Sequence, residues 1–237
     1  AELKLATRLI VHGIDDLNRL KDYGVHHNLV LFPQGVLSQT PALDRAATSL
    51  PVTAKRVIAA YGFLLPHKGL QQLIEAFIVL AKLDQSLHLL LLNSLYPNPI
   101  SEREFHICNR LVIEAGLQER VTFQTDYLSD AESLAYLQQA DLIIYPYQGT
   151  QESSSAAVRM GLASGKAVAV TPLAIFKDVA EAVHFLPGCA PDELALGIAG
   201  LLDQPEYLAE LGKAAQNWCA SRNWDVLSER LLGLIDG

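Results

Sequence analysis

The sequence predicts an α/β protein built on a doubly wound parallel sheet. Apolar, β-branched runs of strand length alternate along most of the chain with segments whose apolar residues recur at helical spacing. Hydrophobic residues make up 50% of the 237 residues, which suits a sheet covered by helices on both faces. Right-handed crossovers are expected to connect the successive strands.

The strands are predicted from short apolar runs, most of which are bounded by polar residues, glycine or proline. In chain order they are RLIVH (8–12), NLVLFP (28–33), RVIAAYG (56–62), LHLLLL (87–92), RVTFQ (120–124), DLIIYP (141–146), KAVAVT (166–171) and AVHFLP (182–187). The segments between them have helical spacing, as the apolar residues Leu73, Ile74, Phe77 and Leu80 illustrate. The predicted helices cover 14–24, 71–83, 101–116, 129–140, the segment from Glu152 to Ser164-Gly165, 191–203, 206–222 and 224–236.

The segment 38–54 interrupts this alternation and is predicted to be an interdomain linker, because it is rich in serine, threonine and proline. The preceding residues 1–37 hold only two predicted strands and one helix, too little for an independent domain. The chain also lacks an initiator methionine. We therefore expect a remnant of a preceding domain at 1–37 and one main domain at 55–237.

Composition argues against several classes of function. The net charge of −8 argues against nucleic acid as a partner, since phosphate backbones attract basic surfaces. The three cysteines have no paired or metal-ligand spacing, which favours reduced, buried thiols in the cytoplasm. The pair His26-His27 has no acidic partner nearby in sequence, so no metal site is expected. No apolar run is long enough to span a bilayer, and no signal peptide is recognisable.

The segment QESSSAAVRMGLASGKAVAV (151–170) points to a ligand site. Glu152 and three serines stand between a predicted buried strand and an apolar helix, and a helix start favours anions such as phosphate. Lys68 stands at a similar strand-to-helix corner. Because ligands bind at the carboxyl ends of parallel strands, Lys68 and Glu152 are expected to line one cleft. A cation, an acid and two helix starts suit a phosphate joined to a hydroxyl-rich group.

Simpler interpretations compete with this one. In one alternative interpretation, Lys68 is a solvated turn residue and binds no ligand. In the corresponding interpretation of Glu152, its carboxylate only complements a helix dipole. Ser153 to Ser155 have the residue type of ordinary helix caps. Other conspicuous residues are expected to have ordinary roles, namely a surface position or an ion pair for Arg159, a solvated position for His67, and packing for Trp218 and Trp224.

Five segments also match a known pattern in order and spacing. They are VLFPQGV (30–36), YGFLLPHKGLQQLIEAF (61–77), RVTFQTDYLSDAESLAYLQQADLIIYPY (120–147), ESSSAAVRMGLASGKAVAVTPLAIFKDV (152–179) and Asn223-Trp224. This order resembles the C-terminal half of GT-B glycosyltransferases, specifically the large glycosyl transferase group 1 family. The match covers most of the chain and implies a Rossmann-like domain that binds a nucleotide-sugar donor.

The resemblance assigns roles to individual residues. It implies that Lys68 binds donor phosphate and that Glu152 contacts the donor sugar, which makes these two the candidate catalytic residues. The other donor-binding residues that it implies are Gly62, where the backbone approaches closely, Ser154 and Ser155, whose amides cradle the phosphate, and Thr125, Tyr127 and Leu128 in the loop where the base rests. It implies no cofactor or metal, with a UDP- or GDP-sugar as the donor substrate.

Four positions depart from the family pattern. Met160 stands where the family has a second glutamate that binds the ribose hydroxyls, and Phe63 replaces an arginine that joins the lysine. Gln34 replaces an asparagine, and Thr125 or Gln124 replaces a glycine of the base loop. We therefore expect UDP or GDP to bind more weakly than is usual for the family.

The resemblance implies a retaining glycosyltransferase that moves a sugar to the hydroxyl of an acceptor glycan or lipid-linked sugar. The acceptor is expected to bind mainly to the missing N-terminal domain, so the isolated chain should not transfer sugar. The whole protein is expected in the cytoplasm, with peripheral membrane contact as an open alternative. Two other readings remain: a non-catalytic, degenerate GT-B module for binding or assembly, and another GT-B enzyme such as a sugar-nucleotide epimerase or a phosphorylase.

Overall fold

The computed structural model describes residues 2–37, 55–150 and 152–236. The linker predicted at 38–54 therefore lies outside the described residues. Among the described residues, no helix combines the length and apolar character that a membrane span requires.

The main sheet has six strands that all run parallel, in the order β5-β4-β3-β6-β7-β8. Its strands are β3 (Arg56–Phe63), β4 (Leu87–Ser94), β5 (Val121–Gln124), β6 (Leu142–Tyr145), β7 (Ala167–Val170) and β8 (His184–Phe185). The chain adds strands on one side of β3 and then returns to add β6 on the other side. The strand order therefore reverses between β3 and β6, where α/β sheets bind ligands. The predicted fold class is confirmed.

Helices cover both faces of this sheet. Their bounds are α2 (Leu70–Leu83), α3 (Pro99–Glu114), α4 (Asp130–Leu137), α5 (Ala156–Ala163), α6 (Pro191–Leu202), α7 (Pro205–Ala220) and α8 (Trp224–Asp236). The predicted strand at 182–187 is shorter than expected. A 3-10 helix occupies Ala174–Ala182, so only His184 and Phe185 pair with β7.

Two separate cores pack against the two faces of the sheet, because successive residues of a strand point to opposite faces. Ile58 and Leu89 belong to the core under α2, α3 and α6. Val57 and Leu90 belong to the core under α4, α5 and the 3-10 helix. Since both faces of the sheet are covered, the strand sequences are nearly continuous apolar runs, without alternation of apolar and polar residues.

The residues before position 38 form a separate small unit. Strands β1 (Leu9–Val11) and β2 (Leu29–Leu31) pair in parallel beside helix α1 (Ile14–Asp22) and do not join the main sheet. The unit meets α8 where Val36 bridges to Asn223 and where the Trp224 ring lies against Gly35. A side chain at position 35 would overlap that ring, which explains the glycine. The end of the small unit is therefore packed against the start of α8.

The positions of the tryptophans and cysteines agree only in part with the predictions. Trp218 is buried, as predicted, whereas Trp224 packs on Gly35 with about half of its side chain exposed. All three cysteines are free, but Cys189 is only partly buried, which corrects the prediction of three buried thiols. Burial raises the pKa of the Cys108 thiol to about 12, with a smaller contribution from Glu104, so this thiol is unreactive at neutral pH.

Candidate functional site

Lys68 and Glu152 meet at the carboxyl ends of the neighbouring strands β3 and β6. The Lys68 Nζ lies 3.5 Å from the Glu152 Oε2. Both residues line a cavity of about 570 Å³, which we call the main cleft. The prediction that they share one cleft is confirmed. The reason is the strand order. Strands β3 and β6 are neighbours in the sheet, although three helices and two strands separate them in the sequence.

Lys68 is held in place by the turn after β3. The turn Pro66–Lys68 ends at Gly69, whose φ of 72° is left-handed and whose Cα lies against the carbonyl of Pro146. The Lys68 ammonium lies 4.0 Å from the centroid of the Tyr147 ring, and only 11% of the side chain is exposed. The reading of Lys68 as a solvated turn residue is therefore wrong. Its charge is compensated by one aromatic face and one carboxylate.

Glu152 lies outside the helix that it was expected to begin. Helix α5 starts at Ala156 with Ser155 as its N-cap, and its first turn contains no acid. Glu152 sits in the preceding loop with 52% of its side chain exposed. A carboxylate this far from the helix contributes little to its dipole, because the effect is confined to the first turn. The loop instead extends Glu152 into the cleft toward Lys68.

Ser154 and Ser155 both line the main cleft, and their hydroxyls are engaged within the protein. The Ser154 hydroxyl donates to the Gln34 side chain over 2.9 Å. The Ser155 hydroxyl accepts from the Val158 amide over 3.3 Å, so the capping interpretation is correct for its side chain. It also forms a 3.0 Å hydrogen bond with the Tyr147 hydroxyl.

Arg159 is a buried cation beneath the serine loop, although a surface position was one of its predicted roles. It is 3% exposed and forms an ion pair with Asp178, which confirms the other predicted role. Its Nε donates to the Gln34 carbonyl over 3.2 Å, and its Nη1 donates to the Ser155 carbonyl over 2.8 Å. Arg159 therefore ties α5, the 3-10 helix and the small N-terminal unit together.

The predicted base loop enters the cleft through one residue. Tyr127 lines the cleft and is 82% exposed, whereas Thr125 and Leu128 are not part of that lining. The Tyr127 ring is nearly parallel to that of Phe63, at a centroid distance of 6.4 Å and an angle of 25°. Tyr96 packs edge-on against Phe63 at 5.1 Å. Where the family pattern has an arginine, this cleft therefore has an aromatic cluster.

The remaining lining of the cleft is poor in positive charge. Among its described lining residues, only Lys68 and Arg159 carry a permanent positive charge, and Arg159 is already paired with Asp178. Gly62 lines the cleft with a φ of 136°, a conformation that side chains rarely adopt. Met160 is almost buried in the wall and offers no hydrogen-bond acceptor of carboxylate strength. Lys68 is thus the better placed of the two for an anion, because its partner Glu152 is half exposed, whereas Arg159 is buried in its ion pair with Asp178.

His67 differs from its predicted solvated position. Its Nε2 is buried and has no hydrogen-bond partner among the described residues. Burial lowers the pKa of the His67 imidazole, repulsion from Lys68 lowers it further, and Glu152 acts in the opposite direction. The neutral imidazole is thus favoured, and it packs edge-on against Tyr147.

Sequence reasoning did not single out several polar residues of the cleft, among them His12, Ser94 and Asp130. His12 follows directly after β1, and its Nδ1 donates to the Phe32 carbonyl over 2.9 Å. Asp130 is the first residue of α4. A search for polar residues at the last position of every predicted strand and in the first turn of every predicted helix would have found His12 and Asp130. No group of three or more histidine, cysteine or acidic residues is arranged to hold a metal ion in the described residues.

Comparison with known proteins gives a match to one protein family. The family model "Glycosyl transferases group 1" matches residues 45–218 of the chain. A comparison with curated protein sequences found no match.

Many solved structures share the fold. One is the Anabaena protein Alr3699/HepE, solved in complex with UDP and glucose, which is 16% identical to this chain with a TM-score of 0.82. The match covers 98% of this chain and 63% of the Alr3699/HepE chain. Sucrose-phosphate synthase from Thermosynechococcus elongatus is 21% identical with a TM-score of 0.77, and the match covers 96% of this chain and 57% of the synthase chain. A UDP-forming α,α-trehalose-phosphate synthase from Burkholderia xenovorans, in complex with glucose-6-phosphate, is 12% identical at a TM-score of 0.80, with coverage of 99% and 62%. The chain thus spans less than two thirds of the length of each of these structures.

Proposed function

We propose, on the premise that this chain belongs to the group 1 glycosyl transferases, that its main cleft binds the nucleoside-diphosphate-sugar donor of a retaining glycosyltransferase. The observation that carries the proposal is the pair of Lys68 and Glu152 at the reversal of strand order, 3.5 Å apart in one cleft. The pair supplies a cation for phosphate and a carboxylate for sugar hydroxyls. The similar Alr3699/HepE structure contains UDP and glucose, which agrees with this class of donor.

In this proposal the diphosphate lies between Lys68 and the start of α5. The free amides of a helix N-terminus favour an anion, and Ser154 and Ser155 lead into that terminus. As the bond to the sugar breaks, negative charge grows on the leaving diphosphate. A fixed cation and fixed amides stabilise this charge without having to reorganise, which lowers the barrier to transfer.

Glu152 has two consequences for the donor. Its exposed carboxylate accepts hydrogen bonds from sugar hydroxyls, which fixes the orientation of the sugar. It also competes with the phosphate for Lys68, because both anions seek the same cation. Donor affinity is therefore the difference between two interactions of Lys68.

The nucleobase is proposed to lie at the aromatic edge of the cleft. Tyr127 and Phe63 offer two nearly parallel ring faces there, and stacking on aromatic rings is tolerant of base identity. The backbone around Thr125 and Leu128 would complete this subsite.

The donor assignment predicts a specific loss when Lys68 is replaced. Lys68→Ala should weaken the binding of UDP or GDP to this chain by roughly 10- to 100-fold, since a hydrogen bond to a charged group contributes about 1.5–3 kcal/mol. Isothermal titration calorimetry measures this directly. Lys82→Ala removes an exposed lysine from the last turn of α2 and is the matched control.

Glu152→Gln should tighten nucleotide binding, because the competing anion is gone.

A second prediction concerns the missing ribose contact. Met160→Glu should tighten UDP binding by roughly tenfold or more, because a carboxylate at this wall position accepts bonds from the ribose hydroxyls. Met160→Leu keeps the site apolar and should bind like the unmodified chain. If Met160→Glu weakens binding instead, the ribose is held elsewhere in the cleft.

The non-catalytic alternative keeps a specific observation in its favour, since Met160 and Phe63 both remove polar contacts from the cleft. A degenerate module of this family would bind neither UDP nor GDP at millimolar concentration. In that case Lys68→Ala and Glu152→Ala would also leave the function of the whole protein unchanged. Sugar transfer in the whole protein, with both substitutions abolishing it, would exclude this alternative.

A further inference from the structure

Tyr147 lies directly behind the main cleft and contacts both parts of the proposed diphosphate site. It stands shortly after strand β6, is 1% exposed, and does not itself line the cleft. Its ring lies against the Lys68 ammonium, and its hydroxyl bonds to Ser155, the N-cap of α5. We propose that Tyr147 is a positioning residue, which holds the Lys68 cation and the start of α5 at the separation that a diphosphate requires. The inference rests on the proposed donor site.

The contact between Tyr147 and Lys68 leaves the cation available to a ligand. The Lys68 Nζ lies 4.0 Å from the centroid of the ring, whose negative face attracts the ammonium. Because the ring lies behind the cleft, the ammonium keeps this contact when an anion approaches through the cleft. Glu152, in contrast, reaches Lys68 from within the cleft and competes with such an anion. The ring therefore holds the cation without competing for it.

The ring also restricts Lys68 before any ligand binds. A lysine side chain is a flexible four-carbon stem, and part of its rotamer freedom is lost when the ammonium binds a ligand. Here the side chain lies against the Tyr147 ring and is only 11% exposed. Most of this ordering has therefore taken place in the folded chain, which favours donor binding.

The hydroxyl of Tyr147 acts on the other half of the site. It forms a 3.0 Å hydrogen bond with the Ser155 hydroxyl, which also accepts from the Val158 amide in the first turn of α5. The free amides that favour a phosphate follow directly after Ser155. Without the Tyr147 hydroxyl, the helix start would lose its link to the ring that holds Lys68.

The surroundings of Tyr147 keep it in one position. Its ring packs against the rings of Phe176 and His67, at centroid distances of 5.0 Å and 6.3 Å. Its carbonyl accepts a 2.8 Å hydrogen bond from the Thr171 hydroxyl, directly after β7. A residue that is fixed by packing and by a backbone bond is able to fix the residues that it contacts.

The test compares two replacements of Tyr147 that separate the ring from the hydroxyl, with UDP affinity measured by calorimetry. Tyr147→Phe keeps the ring and should weaken UDP binding by about two- to tenfold, because one neutral hydrogen bond is lost. Tyr147→Leu also removes the ring and should weaken UDP binding by about 5- to 100-fold, because Lys68 must then be ordered on binding. Phe77→Leu is the control, since it removes a fully buried ring from the core on the other face of the sheet. It should leave UDP affinity unchanged.

A spectroscopic signal distinguishes positioning from a general loss of stability. In a chain with isotope-labelled lysine, the ring current of Tyr147 should shift the Lys68 Hε signal upfield, and Lys68→Arg identifies that signal by its loss. The upfield shift should persist in Tyr147→Phe and Phe77→Leu and disappear in Tyr147→Leu. If Tyr147→Leu does not fold, Tyr147→Phe and the Lys68 signal of the unmodified chain decide the test.

The outcomes separate this inference from the donor proposal. If UDP binds the unmodified chain and Tyr147→Phe equally well, or if the Lys68 signal is not shifted upfield, the positioning role is overturned while the donor proposal stands. The same holds if Phe77→Leu weakens UDP binding as much as Tyr147→Leu does, because the effect then reflects stability alone. If UDP does not bind the unmodified chain, the donor proposal fails and this inference fails with it.

Discussion

Arg159→Met is expected to lower the free energy of unfolding by about 3–5 kcal/mol, because it breaks a buried ion pair and leaves one charge without its partner. The Arg159 side chain is the centre of a local network. It donates to the Gln34 and Ser155 carbonyls and forms the ion pair with Asp178. The other oxygen of Asp178, Oδ1, is already buried without a partner among the described residues. Methionine fills similar space but supplies none of these donors.

The measurement is equilibrium unfolding in urea, followed by circular dichroism. Arg19→Met is the matched control, because Arg19 also pairs with an aspartate but is 62% exposed. Such surface pairs contribute about 0–1 kcal/mol, so the control should unfold almost like the unmodified chain. The double variant Arg159→Met/Asp178→Leu should recover part of the loss, since it removes the unpaired carboxylate. Equal stability of Arg159→Met and Arg19→Met would show that Arg159 makes no net contribution.

Gly69→Ala is expected to destabilise the chain by about 2–5 kcal/mol, through two separate causes. The φ of 72° at Gly69 costs an alanine about 1–2 kcal/mol. The added Cβ would also overlap the carbonyl oxygen of Pro146, which is backbone and cannot turn aside. The turn would have to move away from β6, and that adds about 1–3 kcal/mol.

Two other glycines separate these causes. Gly116 has a φ of 68° but open space around its Cα, so Gly116→Ala should cost only the conformational part of about 1–2 kcal/mol. Gly200 lies within helix α6 with nothing near its Cα, and Gly200→Ala should stabilise the chain by about 1 kcal/mol. Thermal unfolding of the three variants gives the comparison. If Gly69→Ala costs no more than Gly116→Ala, the turn is free to shift and does not fix Lys68.

The arrangement of the fold was predictable because its signals are local. Residues 57–60 of β3 and 142–145 of β6 are all apolar and buried, which is typical of strands covered on both faces. The polar residues Lys68 and Glu152 each follow such a run, and in a parallel sheet all such positions lie at one edge. Two short-range patterns thus sufficed to bring together residues that are far apart in the chain. The boundaries were less predictable, as Glu152 shows, since α5 begins only at Ala156.

The sequence by itself determined the parallel α/β architecture, the family and the edge of the sheet where Lys68 and Glu152 meet. The tertiary structure alone decided which side chains are buried there. It placed Arg159 beneath the serine loop and Lys68 against Tyr147, and it brought His12 into the cleft. The physical reason is the range of the interactions. The bond from Arg159 to Gln34 joins residues 125 positions apart, and burial of a charge depends on such distant partners rather than on the spacing of its neighbours in sequence.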